Sequence, residues 1–180
     1  MGIALSILIT VISLIALLLI VALFLKKEYN IQREIIINKP LKEVFDYLKH
    51  IKNQDYFGKW VMTDPGMKKD FRGADGTVGF VYAWDSTNKN AGAGEQEIIQ
   101  IDEGKKIDIE VRFIRPFAGV AYTPFYTEPI SADQTKVIWG IKNIMKYPMN
   151  LMVLFMNMEK MLGADIEISL VNLKTILENK

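Results

Sequence analysis

The chain has 180 residues, half of them apolar, with 22 basic and 21 acidic side chains and a formal net charge of +1. That balance lacks the basic stripe that tracks nucleic-acid phosphates, so no nucleic-acid partner is expected. Cysteine is absent, which excludes disulfides, thiolate metal sites and cysteine nucleophiles.

Charge is unevenly distributed, with every charged side chain lying from Lys26 onward. The run from Ile3 to Leu25 is interrupted only by Ser6, Thr10 and Ser13, and as a helix it reaches roughly 34 Å, enough for a bilayer hydrocarbon core of about 30 Å. A cleaved signal peptide would want basic residues before the apolar run and a small-x-small cleavage site, and neither is found here. The expected organisation is a transmembrane anchor over residues 1–25, a linker over 26–30 and one domain over 31–180. Lys26 and Lys27 follow the span directly, so the positive-inside bias puts the C-terminal domain in the cytoplasm of a single-pass membrane protein.

After the linker, "IQREIII" has the β-branched composition of a strand. Pro40 then opens a helix carrying Leu41, Val44, Phe45 and Leu48 at helical spacing. From Gly66 to Asn143 the period changes to two, punctuated by Gly, Pro, Asn and Asp clusters. Six strands are predicted: Lys68 to Arg72, Val78 to Trp84, Gly94 to Ile101, Lys106 to Arg115, Val120 to Glu128 and Thr135 to Asn143. "KIDIEVRF" alternates most clearly, with Ile107, Ile109, Val111 and Phe113 on one face. The short connections favour antiparallel neighbours. The segment around "PMNLMVLFMNMEKML" reads as a short helix apolar nearly all round, with Leu151, Leu154, Phe155 and Met158 on one stripe and Met149, Met152 and Met156 on another. Such a helix is buried on every side or touches something other than water, and methionine suits irregular or changing partners. A long helix from Glu159 to Leu177 closes the chain, its Leu162, Ile166, Leu170, Leu173 and Leu177 forming a stripe that must cover the concave face of the sheet. The fold class is therefore α+β, a curved antiparallel sheet gripping one C-terminal helix.

These motifs in this order, "NKPLKEVFDYL", "KNQDYFGKW", "DPGM", "GTVGFVYAWDS", "AGAGEQEI", "IRPF", "TKVIWGI" and the Met-rich block, resemble the polyketide cyclase/dehydrase-type branch of the SRPBCC superfamily, the START-like or helix-grip proteins. The resemblance runs from about Ile31 to Leu177. It implies a deep apolar cavity between sheet and C-terminal helix, in which members bind or act on hydrophobic small molecules. Similar members often carry two tryptophans in a Trp-Ser-Pro-Trp-like segment. Here Phe57 takes the first place and only Trp60 is kept, which implies a cavity mouth of different shape and polarity.

Enzyme signatures are scarce. His50 has neither an acidic partner in sequence nor the spacing of a metal pair, and no zinc, nucleophile-elbow, P-loop or dinucleotide motif is present, so no metal or cofactor is expected. Glu95 and Glu97 share one face of a strand, but Ile99 and Ile101 share it too, so the buried side of that strand cannot be read. Glu97 and Tyr82 are the candidates for proton transfer. The aromatic residues say more. Phe80, Tyr82 and Trp84 project from one face, Val137, Trp139 and Ile141 from another, and Tyr122, Phe125 and Tyr126 lie on the strand between. They fill a core or line a void with tyrosine hydroxyls orienting a ligand. The candidate ligand-binding set is Trp60, Phe80, Tyr82, Trp84, Phe113, Trp139, Met152, Phe155 and Met156. A membrane-anchored protein that binds a hydrophobic or amphipathic small molecule is the leading expectation. A cyclase- or dehydratase-like enzyme and a protein-interaction module using the Met-rich surface are the alternatives.

Overall fold

A computed structural model of the chain describes residues 2–145 and 147–179. The apolar run forms α1 (Ile3–Phe24), a 22-residue helix in which Ala22 is the single buried residue. It is long and apolar enough to cross a membrane, and only 6% of its most apolar stretch is covered by the rest of the chain.

The domain opens with β1 (Glu28–Ile37), which starts three residues before the β-branched run. Next come α2 (Leu41–Lys49), a 3-10 turn at Ile51–Asn53, and the one-turn helices α3 (Gln54–Phe57) and α4 (Lys59–Met62). The strands then follow as β2 (Lys68–Arg72), β3 (Val81–Asp85), β4 (Ala93–Asp102), β5 (Lys106–Arg115), β6 (Gly119–Tyr122), β7 (Phe125–Ser131) and β8 (Gln134–Ile144). All pair antiparallel in one sheet ordered β1-β8-β6-β5-β4-β3-β2, with β7 between β5 and β8. The helix-grip architecture read from the sequence is the one found.

Two differences from the expected strands have local causes. The single strand over Val120 to Glu128 is split into β6 and β7 at Thr123 and Pro124, because proline has no N–H for the ladder. Around the break, Thr123 N donates to Ile109 O at 2.8 Å and Gly140 N donates to Pro124 O at 2.9 Å. In β4 the pairing slips between Ile98 and Gln100. The resulting bulge reverses the alternation, so Gly94, Gln96 and Ile98 face inward and Ile101 again lies opposite the buried Ile107. That slip is why the parity of Glu95, Glu97, Ile99 and Ile101 gave no consistent face.

The chain ends in α6 (Met158–Glu178), which lies along β1 and against α3 and α4. Asn157 caps it, its Oδ1 accepting from Lys160 N at 2.9 Å. Ile166, Leu170, Leu173 and Leu177 are buried in the core with Phe45, Phe57, Ile107, Ile109 and Phe125. Near the other end of the helix, Arg33 reaches from β1 to pair with Glu159 at 2.7 Å and Glu167 at 2.6 Å. Gly163 sits directly over the Arg33 guanidinium, where any Cβ would collide with it.

The Met-rich segment is not one helix. It is a 3-10 turn at Met149–Leu151, the single-turn α5 (Met152–Phe155) and an extended Met156 with φ −123° and ψ 125°. The break lets Asn157 cap α6. Asn150 is fully buried and its Nδ2 donates to the Ala22 carbonyl at 2.6 Å, so this segment is fastened to the last turn of α1. Met145 N donates to Lys27 O at 2.6 Å beside it.

The buried stripe of α6 gives a direct comparison between neighbours. Leu170→Ala is expected to destabilise the fold by about 2–5 kcal/mol, whereas the adjacent, exposed Val171→Ala changes stability by less than about 0.5 kcal/mol. Chemical denaturation of the two variants measures this, and equal losses would contradict the packing described.

Candidate functional site

The sheet is wider than α6, and between them lies a cavity of about 630 Å³. Its floor comes from the sheet: Tyr82 and Trp84 on β3, Gln96 on β4, Val111 and Phe113 on β5, Ala121 on β6, and Trp139 and Ile141 on β8. Its roof comes from Gln54 on α3, Trp60 and Val61 on α4, and Met161, Leu162 and Asp165 on α6. Asn90 and Ala91, from the loop between β3 and β4, stand at its rim with Lys59 and Thr63. The lining is mostly apolar with a few polar groups, as in small-molecule sites.

Period-two alternation explains why these residues meet. Tyr82 and Trp84, Val111 and Phe113, and Trp139 and Ile141 are each two apart on their strands and so share the inner face. Trp60 meets Trp139 edge to face with centroids 5.7 Å apart, and Phe125 stacks beneath Trp139 at 4.6 Å. Trp84 leans edge-on toward Phe113 at 6.3 Å and donates through Nε1 to the Ala91 carbonyl at 3.0 Å. Its place depends on glycine, because a Cβ at Gly94 would stand 2.8 Å from the Trp84 indole and 2.6 Å from the Arg112 carbonyl oxygen.

Of the expected ligand-binding residues, Trp60, Tyr82, Trp84, Phe113 and Trp139 line the cavity. Phe80 does not. It is fully buried outside the cavity, stacked on Phe71 at 6.3 Å. Phe155 is 75% exposed on the surface of α5, and Met152 and Met156 are partly exposed beside it. These three miss the cavity because the segment breaks before α6, and the methionines that do line it are Met67 and Met161. Phe57 shapes no mouth either. It is buried in the core outside the cavity lining, 6.0 Å from Trp139 and 6.5 Å from Phe125.

Glu97 lies on the outer face. There Arg112 donates to Glu95 at 2.8 Å, Glu97 at 2.7 Å and Glu110 at 2.6 Å, while Arg72 also pairs with Glu95. Burial would raise the Glu95 carboxyl, but its hydrogen bonds from Arg112 and Arg72 outweigh that and hold it below the usual range. Arg112 is in turn held firmly protonated, above all by Glu97 and Glu110. This network braces the back of the sheet and has no access to the cavity.

Inside, the tyrosine hydroxyls are committed to the protein. Tyr82 donates to Asp55 Oδ1 at 2.6 Å, and Lys69 holds Asp55 Oδ2 at 2.8 Å. Tyr29, on the cavity wall, accepts from Asn143 Nδ2 at 3.0 Å. Tyr122 is exposed rather than inward. Gln54 and Gln96, two buried amides, were not picked out by sequence reading. Gln96 Nε2 donates to Gln54 Oε1 at 3.2 Å within the cavity lining. Glutamine at an inward strand position, flanked by Gly94 and Ile98, is the signal that a polar group had been placed in an apolar wall, but it is legible only once the β4 bulge fixes the face.

The Tyr82 phenol is raised from its ordinary pKa by burial first and then by its bond to Asp55. Stability linked to the protonated phenol is complete below the ordinary tyrosine pKa of about 10 and is lost as pH rises beyond it. Tyr82→Phe removes that titration, so the fall in denaturation midpoint from roughly pH 10 upward becomes shallower in the variant. Parallel slopes for the two proteins would contradict the assignment.

No family model matches the sequence, nor does any curated protein. Solved structures do match. Norcoclaurine synthase from Thalictrum flavum, in complex with dopamine and hydroxybenzaldehyde, is 14% identical with a TM-score of 0.59, over 85% of this chain and 88% of that one. A Chromobacterium violaceum protein is also 14% identical with a TM-score of 0.59, over 83% of this chain and 96% of that one. The di-domain ARO/CYC StfQ from the steffimycin biosynthetic pathway is 10% identical with a TM-score of 0.62, over 84% of this chain and 51% of that one. At such identities the likeness is one of fold, and the fold is the helix grip.

Proposed function

We propose that the chain is a membrane-anchored protein that binds a hydrophobic or amphipathic small molecule in its helix-grip cavity. The observation that carries this reading is the cavity itself, about 630 Å³ and walled by all three tryptophans of the chain. Burying an apolar ligand there contributes about 25 cal/mol per Å² of apolar area removed from water, so binding needs no reactive group. The fold's occurrence in a synthase crystallised with small aromatic molecules and in a biosynthetic ARO/CYC protein supports a ligand in this place. Cyclase- or dehydratase-like acid–base chemistry has less support. Glu97 faces away from the cavity, and the Tyr82 proton is held by Asp55.

The membrane setting rests on α1. Its apolar surface is exposed along its length, Lys26 and Lys27 follow it, and its last turn is fastened through Asn150 to the segment leading into the cavity roof. Leu154 and Phe155 stand exposed on that segment, and in this reading they face lipid rather than a protein partner. The tether keeps the cavity near a membrane-dissolved ligand, on the cytoplasmic side by the charge bias after the span.

Native mass spectrometry of the full chain released from membranes is expected to show a bound small molecule. Ala121→Phe, which projects a ring from the cavity floor, is expected to fold and to lose it. A wild-type chain that is consistently empty, and takes up nothing from a lipid extract, overturns the binding reading. Orientation has a separate check: a C-terminal reporter active only outside the cytoplasm would reverse it.

A further inference from the structure

The polar chemistry of the cavity wall narrows the ligand further, an inference that rests on the binding reading above. Gln54 and Gln96 are 6% and 7% exposed, and both line the cavity. Their mutual bond is the only side-chain hydrogen bond either makes among the described residues. Each amide carries one acceptor oxygen and one donor nitrogen. Their single bond uses the Gln96 nitrogen and the Gln54 oxygen and leaves the Gln54 nitrogen and the Gln96 oxygen without partners, and turning both amides together only exchanges which residue supplies each. Neighbouring polar groups do not meet them. The Tyr82 proton goes to Asp55, Asp55 is paired with Lys69, and Trp84 donates to the Ala91 carbonyl.

We infer that the ligand carries an uncharged head group that accepts and donates hydrogen bonds side by side, a carbonyl with an adjacent N–H or O–H, on an apolar body. Such a head, as in a carboxamide or an un-ionised carboxylic acid, closes a paired set of bonds with the amide edge of Gln54 and Gln96. The apolar remainder lies against Trp60, Trp84, Phe113 and Trp139. A carboxylate only accepts and would face the free glutamine oxygen, while an ammonium only donates and would leave the free amide N–H unmet.

All three tryptophans line the cavity, so indole fluorescence reads occupancy directly. The full chain in phosphatidylcholine nanodiscs is titrated with three bromine-labelled twelve-carbon quenchers: a primary amide, its N,N-dimethyl counterpart and the plain hydrocarbon. The primary amide is expected to quench at about tenfold lower concentration than the dimethyl amide, which keeps the carbonyl acceptor but loses the one N–H that meets the free glutamine oxygen. In the double variant Gln54→Met, Gln96→Met that preference falls to within about twofold, while saturable quenching by the hydrocarbon shows that the cavity is intact. Equal quenching by the two amides in the wild type, or a preference that survives in the variant, overturns the inference and leaves the cavity as a binding site. Absence of saturable quenching by all three probes overturns the binding reading and the inference with it.

Discussion

A single helix has to cover the concave face of a sheet far wider than itself. A helix with its side chains is about 10–12 Å across, and neighbouring strands are about 4.8 Å apart, so α6 shields only two or three strands. Its C-terminal half resolves the mismatch by close packing, with Ile166, Leu170, Leu173 and Leu177 set among Phe57, Phe125 and the inner isoleucines. Its N-terminal half does not reach the floor, and Met161, Leu162 and Asp165 roof a void instead. Beside that void α6 is held to β1 by charge, with Arg33 paired to Glu159 and Glu167 under Gly163. The cavity therefore follows from the geometry of the grip, and its walls are the inner-face residues that α6 cannot touch.

The two faces of the sheet divide the polar work between them. On the outer face, one guanidinium gathers three glutamates where solvent moderates both the gain and the cost of pairing. On the inner face polar groups are few, and among the described residues the glutamine pair and the buried Trp139 Nε1 keep hydrogen-bonding capacity that the protein does not fill. In the binding reading proposed above, a wall of that kind selects by shape and hydrogen-bond pattern. The charged groups of the lining, Lys59 and Asp165, come from the rim and the roof and not from the sheet.

Much of this architecture was legible in the sequence. The period-two runs with their Gly and Asn breaks located the strands, and the leucine stripe located α6 almost to the residue. Composition alone separated α1 from the domain. The misses share a cause, in that long-range pairing decided what local pattern left open. Pro124 and the bulge after Ile98 change strand continuity and face without any loss of β character in the surrounding residues. The Met-rich segment has helical periodicity, yet the need to cap α6 at Asn157 and to bury Asn150 against α1 breaks it. Met152, Phe155 and Met156 were placed at the cavity by that unbroken helix. Gln54 and Gln96 went unseen because they lie 42 residues apart, and no short-range signal marks a pair that forms only when α3 folds over β4.

The bond from Asn150 to the Ala22 carbonyl has a mechanical side. In the proposed membrane-anchored reading, a helix of 22 residues, about 33 Å long, meets a thinner bilayer by tilting. Tilt swings the last turn of such a helix sideways. Here that turn is not followed by a free tether, since Asn150 grips it and seven residues later Asn157 starts α6. In the membrane-anchored reading proposed above, a sideways movement of that turn is therefore passed along one short segment to the start of α6, next to Met161 and Leu162 in the cavity roof.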